Sequence, residues 1–288
     1  MQLSRKIWRN DYENYTNNWW YERDWQRNSN NYLIRGHRVI VIGSSSANGD
    51  VFYKEATRLG AEERAIFLQA NLSLIEENKR IIKEIKSQFE SLDKIVFCAV
   101  KHSTKYIETD EGLELTFALY YISRFILSYG LKELLEKSEN PIILNICAPG
   151  MKGEIDWDDL QHQKDYKNVS FHGSRLNDLL GVCFAQNDDI GKVKYVLYNP
   201  WAVKTEGVFE MYNSRIFMKA MLKLSYKIIG KSVEKAIIPI TEILDNPPIP
   251  TISAFRERKK ISLAQSMFDK EKANRLHILT SKLLNNPY

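Results

Sequence analysis

Cysteine is scarce in this 288-residue chain: Cys98, Cys147 and Cys183 are the whole complement, each inside an apolar segment and none in C-x-x-C spacing. That excludes a disulfide framework, argues against a zinc site, and predicts three buried free thiols in a reducing compartment. No metal site is expected. No apolar run reaches membrane-spanning length, since the longest candidate, Phe117 to Leu131, is broken by Arg124. The first residues hold neither an apolar core nor a small-residue cleavage pattern, so no secretory leader is expected and a cytoplasmic location is. Blocks of five or six like charges are also missing, although the net charge is +5. Nucleic-acid binding is therefore not expected.

What is present is 44% apolar residues, enough for one large core or two small ones. Residues 1–36 stand apart as an Asn-, Arg-, Tyr- and Trp-rich arm that holds Trp8, Trp19, Trp20 and Trp25. Two roles fit such an arm: its aromatics pack on the main domain, or they form a surface for a partner or substrate. From residue 37 to 288, apolar runs alternate with amphipathic stretches. Strands are predicted at 38–42, 65–70, 94–100, 141–146, 193–198 and 251–255, from short β-branched runs that end at turn residues. Helices are predicted at 50–59, 74–92, 112–135, 176–186 and 263–284. Alternation of this kind gives a doubly wound α/β plan, a parallel sheet with helices on both faces.

The run Arg38–Ile42 leads into Gly43-Ser44-Ser45-Ser46-Ala47-Asn48-Gly49 and then a helix. A glycine-rich turn between a strand and a helix lets backbone N–H groups reach a pyrophosphate. Ala47 holds the middle glycine position, where a methyl narrows the approach. The serines either donate to a phosphate or shape the turn.

Further along the chain, Thr109-Asp110-Glu111-Gly112-Leu113-Glu114, Ile155-Asp156-Trp157-Asp158-Asp159-Leu160, Pro200-Trp201-Ala202-Val203-Lys204-Thr205 and Ser232-Val233-Glu234-Lys235-Ala236 occur in order. Together they resemble the retinol-dehydrogenase-like branch of the short-chain dehydrogenase/reductase family, over residues 37 to about 285. The resemblance implies a Rossmann fold and an NAD(P)-dependent alcohol–ketone oxidoreductase with a Tyr-x-x-x-Lys pair assisted by Ser and Asn. Carried over residue by residue, those four positions fall on Phe171, Arg175, Ala148 and Tyr120. Phenylalanine has no hydroxyl to exchange a proton, and a guanidinium is a poor substitute for a compact ammonium. Cofactor contacts fall on Gly43, Ser44, Ser45, Ser46, Gly49, Asn71 (in place of an aspartate), Ala99 and Thr205. Only ten residues separate Ala61 from Leu72, so the first half of the sheet is expected to be short by about one strand–helix unit.

Two function classes follow. The first is a binding or scaffolding homologue without hydride transfer, for which the NAD(P) cofactor is weakly held or lost. The second is an oxidoreductase or tailoring enzyme, acting on a small-molecule or peptide substrate, with its proton donor moved to Tyr120, His172 or Cys147. Each of those three has a plainer reading, as pocket filling, an outward helix residue and core respectively. A third class is a subunit supporting an intact homologue; self-association is also expected.

Overall fold

The structure, a computed structural model, describes residues 14–18, 26–101, 103, 105–164, 169–203 and 230–285. The β-branched runs form strands close to where the sequence places them: β2 (Arg38–Gly43), β3 (Ala65–Gln69), β4 (Lys94–Phe97), β5 (Ile142–Ile146), β6 (Lys194–Asn199) and β7 (Ile252–Arg256). A short β8 (Lys259–Lys260) turns back along β7. They are preceded by β1 (Asn14–Asn18), which lies parallel between β2 and β4. Among the described residues the sheet order is β3-β2-β1-β4-β5-β6-β7-β8, parallel except for the β7–β8 pair. This is the Rossmann-like doubly wound plan.

Period-two alternation divides the core between the faces of the sheet. Ile40, Ile42, Ile95, Phe97, Ile143 and Leu197 point to one side. They meet α3 (Ile75–Gln88), α5 (Ser123–Gly130), α7 (Val169–Gln186) and the closing α9 (Lys270–Leu283). Val39, Val41, Val96, Leu144 and Val196 point to the other. There they meet α1 (Gln26–Ile34), α2 (Ser46–Arg58) and α8 (Val233–Asp245).

The expectation of a shortened first half is corrected. Its missing place is taken by β1 and α1, drawn from the segment set aside as an arm. The sequence Asn-Tyr-Thr-Asn-Asn has neither an apolar run nor a strong strand propensity, so periodicity gives no sign of it. Its place rests on backbone pairing to both neighbours. The four tryptophans of the arm lie outside the described residues.

The predicted 112–135 helix is interrupted. Glu114 caps α4 (Leu115–Phe117) by accepting from the N–H groups of Thr116 and Phe117. A π-helical turn, Ala118–Ile122, then leads into α5, followed by α6 (Lys132–Glu136). The widened turn carries Tyr120. Such turns inside α-helices occur frequently at functional sites.

Candidate functional site: a closed polar network at the sheet edge

The chain runs outward from β1 to β3 and then returns to β4, so strand order reverses between β1 and β4. In open α/β sheets ligands bind beyond the carboxyl ends of the strands at that point. Beyond β4 and β5 lie Cys98-Ala99-Val100 and Cys147-Ala148-Pro149-Gly150.

Arg124, one helical turn after Tyr120, reaches this edge and is only 1% exposed. Its Nη1 donates to Asn145 Oδ1 and, at 2.9 Å, to the Ile146 carbonyl. Its Nη2 donates to the Ala99 carbonyl at 2.9 Å. The guanidinium thus ties the ends of β4 and β5 together, and its carbon sits 4.4 Å from the centre of the Tyr120 ring. Among the described residues no carboxylate pairs with it. Asn145 extends the network, donating to Asn177 Oδ1 at 2.9 Å and the Tyr195 hydroxyl at 3.0 Å. Asn177 in turn donates to the carbonyls of Tyr120 and Gly173, both at 2.8 Å. Motif reading did not find Arg124, Asn145 or Asn177. The available signal at Arg124 and Asn145 was a charged or amide residue inside an apolar segment; Asn177, beside Asp178, gave none.

The four positions aligned with the family's catalytic residues divide. Tyr120 is buried, and its hydroxyl lies 3.4 Å from Ser174 Oγ. A Cβ on Gly173 would lie 2.7 Å from the Tyr120 ring, so glycine there is what admits the ring against α7. Burial, with a smaller contribution from Cys147, pushes the Tyr120 hydroxyl up to about 12. Arg175 and Ala148 are joined: Nη2 donates to the Ala148 carbonyl at 3.0 Å, while Nη1 lies 2.6 Å from Asp178 Oδ2. Asp178 also accepts from the Gly150 N–H at 3.2 Å. Burial pushes its carboxyl up to about 7, against the downward pull of Arg175.

Phe171 is 46% exposed. His172 is corrected from an outward residue to a buried one, 4% exposed, with its ring centre 4.2 Å from that of His162. Cys147 is core, and burial raises its thiol well above the ordinary range. Among the described residues no group of three or more His, Cys, Asp or Glu side chains is placed to hold a metal ion. Nor is any helix among them long and apolar enough to cross a membrane.

Most of the residues that the resemblance aligns with cofactor contacts are engaged by contacts within the chain. The Gly43–Gly49 turn follows β2, one strand out from the centre, whereas this fold places its phosphate turn after the central strand. A Cβ on Gly49 would come 2.6 Å from the Phe67 ring, so this glycine serves close packing of α2 on β3. Ser45 precedes α2 without a side-chain capping bond, and the Ser44 carbonyl accepts from Gln69 Nε2 at 3.2 Å. The turn after β1 falls in residues 19–25, outside the described residues; the first glycine in the chain is Gly36. Asn71 accepts from Ser73 N–H at 3.2 Å and Ser73 Oγ at 2.8 Å, which shapes the entry to α3. The Ala99 carbonyl is taken by Arg124, and Thr205 lies outside the described residues.

No protein-family model matches the chain. It is similar to an uncharacterized oxidoreductase of Saccharomyces cerevisiae, 24% identical over 228 residues, covering 76% of this chain and 70% of the yeast protein. It is also similar to mouse retinol dehydrogenase 14, 24% identical over 184 residues, covering 51% of this chain and 55% of that protein. The chain thus spans little more than half the length of the latter. Among solved structures, a short-chain dehydrogenase from Salmonella enterica superposes with a TM-score of 0.64 at 12% identity, covering 86% of this chain and 96% of that one. The RhlG/NADP active-site complex of Pseudomonas aeruginosa gives 0.63 at 15% identity, covering 85% and 94%. In sequence the chain resembles short-chain dehydrogenases/reductases, retinol-dehydrogenase-like relatives among them, and the fold is theirs.

Proposed function

We propose that this protein is a short-chain-dehydrogenase-like homologue that acts by binding or scaffolding and does not transfer hydride. The observation that carries this reading is the state of the two vacated positions. Arg175 is buried and committed to Asp178 and the Ala148 carbonyl, while Phe171 offers no protonatable group. General acid–base catalysis needs a donor near working pH and within reach of the substrate. Tyr120, buried with its hydroxyl held at about 12, is poorly suited to that work. The segment between β1 and α1, where this fold carries its phosphate turn, has no glycine among residues 19–25, which supports weak or lost NAD(P) binding. In this reading the protein works in the cytoplasm, with a second copy or an intact homologue as partner.

A second reading, an oxidoreductase or tailoring enzyme with Tyr120 as relocated donor, is favoured by the Tyr120–Ser174 contact beside the Arg124 guanidinium. A paired assay separates the two. Native protein and Tyr120→Phe are incubated with NADH and NADPH against a panel of aldehydes and ketones. The expected result is turnover at background for both proteins. Native turnover that collapses in Tyr120→Phe, which loses only a hydroxyl, would transfer the role of acid to Tyr120 and end the non-catalytic reading.

A further inference from the structure

We propose that Trp201 and Arg256 form a clamp for a planar aromatic carboxylate at the carboxyl edge of β6. This deepens the reading of a binding protein by naming a ligand class, and it rests on that reading. Trp201 has φ of +62°, a left-handed conformation that a bulky residue seldom adopts. Burial does not account for it, because the residue is 48% exposed. Strained backbone persists where its surroundings impose it, and it gathers at ligand clamps and active sites.

The surroundings here are built for that purpose. Asn199, itself buried, accepts the Trp201 N–H on Oδ1 at 2.7 Å. The Asn199 carbonyl accepts the N–H of Glu257, in the β7–β8 turn, at 2.8 Å. Glu257 is also left-handed, with φ of +55°, and its carboxylate pairs with Lys231. Lys231 closes the brace by donating its N–H to the Ala202 carbonyl at 2.9 Å. Three separate segments therefore hold a half-exposed indole in an unfavourable backbone conformation.

Arg256 supplies the chemistry that selects a ligand. Its guanidinium carbon lies 4.7 Å from the Trp201 ring centre, and among the described residues no carboxylate pairs with it. Its Nε is buried without a hydrogen-bond partner. The guanidinium lies over one face of the half-exposed indole, and an aromatic capped by a cation without a carboxylate partner suits a flat ring that packs on the exposed part of the indole while its carboxylate meets the guanidinium.

The test is titration of the full chain with 2-naphthoate, with its neutral amide as a charge control, in the absence of any dinucleotide. The expected result is saturable binding of the acid by native protein, with affinity about tenfold or more lower in each of Trp201→Gly and Arg256→Met, and lower for the amide. Because glycine accepts the left-handed backbone, Trp201→Gly should unfold at a temperature no lower than native. No saturable binding, equal binding by the variants, or a lowered unfolding temperature in Trp201→Gly would overturn the proposal. The last outcome would mark the indole as a packing residue. Because no dinucleotide or turnover enters the measurement, failure of the clamp is distinct from failure of the non-catalytic reading.

Discussion

Replacing Arg124 with leucine should destabilise the protein by about 3 kcal/mol or more, one of the largest effects expected from any single change outside the apolar core. Exchanging a complete buried ion pair for apolar residues is often harmless, because both charges leave together. Here the cation would leave alone. The Ala99 carbonyl, the Ile146 carbonyl and Asn145 Oδ1 would each lose the donor they have. A buried acceptor stripped of its partner costs about 1–3 kcal/mol. Arg124→Lys should recover only part of the loss, since an ammonium lacks the planar fork that meets all three acceptors. Urea unfolding followed by circular dichroism measures the difference. A shift below about 1 kcal/mol for Arg124→Leu would show that water or local repacking satisfies these groups, and that the guanidinium does not tie β4 to β5.

The second large effect is a pH dependence centred on His172. Burial is the main cause that lowers its pKa to about 3, with His162 adding to the shift and Asp156 and Asp159 opposing it. In the unfolded chain the ring titrates near the ordinary imidazole value of 6.5. As pH falls below that value the unfolded state takes up the proton first, so the ring's contribution to stability is full above about 6.5 and is lost toward pH 3. Between pH 7 and 5 the linkage amounts to about 2 kcal/mol. Asp178 acts in the opposite sense over an overlapping window. Its carboxyl is raised to about 7, so the folded state takes up that proton first and gains stability as pH falls from 7 toward 4. The native slope is thereby reduced, and the difference between native protein and His172→Gln is the informative quantity. On moving from pH 7 to pH 5, native protein should lose about 2 kcal/mol relative to the variant. Parallel loss by both proteins would contradict the assignment of this proton to His172.

The layered sheet was largely legible because its strands are short, β-branched and buried on two faces. Val39 and Val41 alternate with Ile40 and Ile42, and each pair finds its own helical layer. The central strand was not legible, since Asn14–Asn18 is polar and its place is fixed by pairing with residues more than twenty positions away. That one omission moved the glycine turn from the second strand to the first in the sequence reading. The resemblance singles out Phe171, Arg175 and Ala148, but it carries no sign of their surroundings. Nothing in the spacing of Arg124, Asn145 and Asn177 signals that they share one hydrogen-bonded network. His172 was misjudged for a related reason: α7 begins earlier than periodicity suggested, which places the ring on the inward side of the helix.

Calorimetric titration of the full chain with NADH and with NADPH asks directly whether the carboxyl edge of the sheet binds a dinucleotide. A thousandfold loss of affinity corresponds to about 4 kcal/mol. The predicted result is no saturable heat up to millimolar concentrations of either cofactor. Saturation in the micromolar range by either one would contradict it and return the protein to the working oxidoreductases.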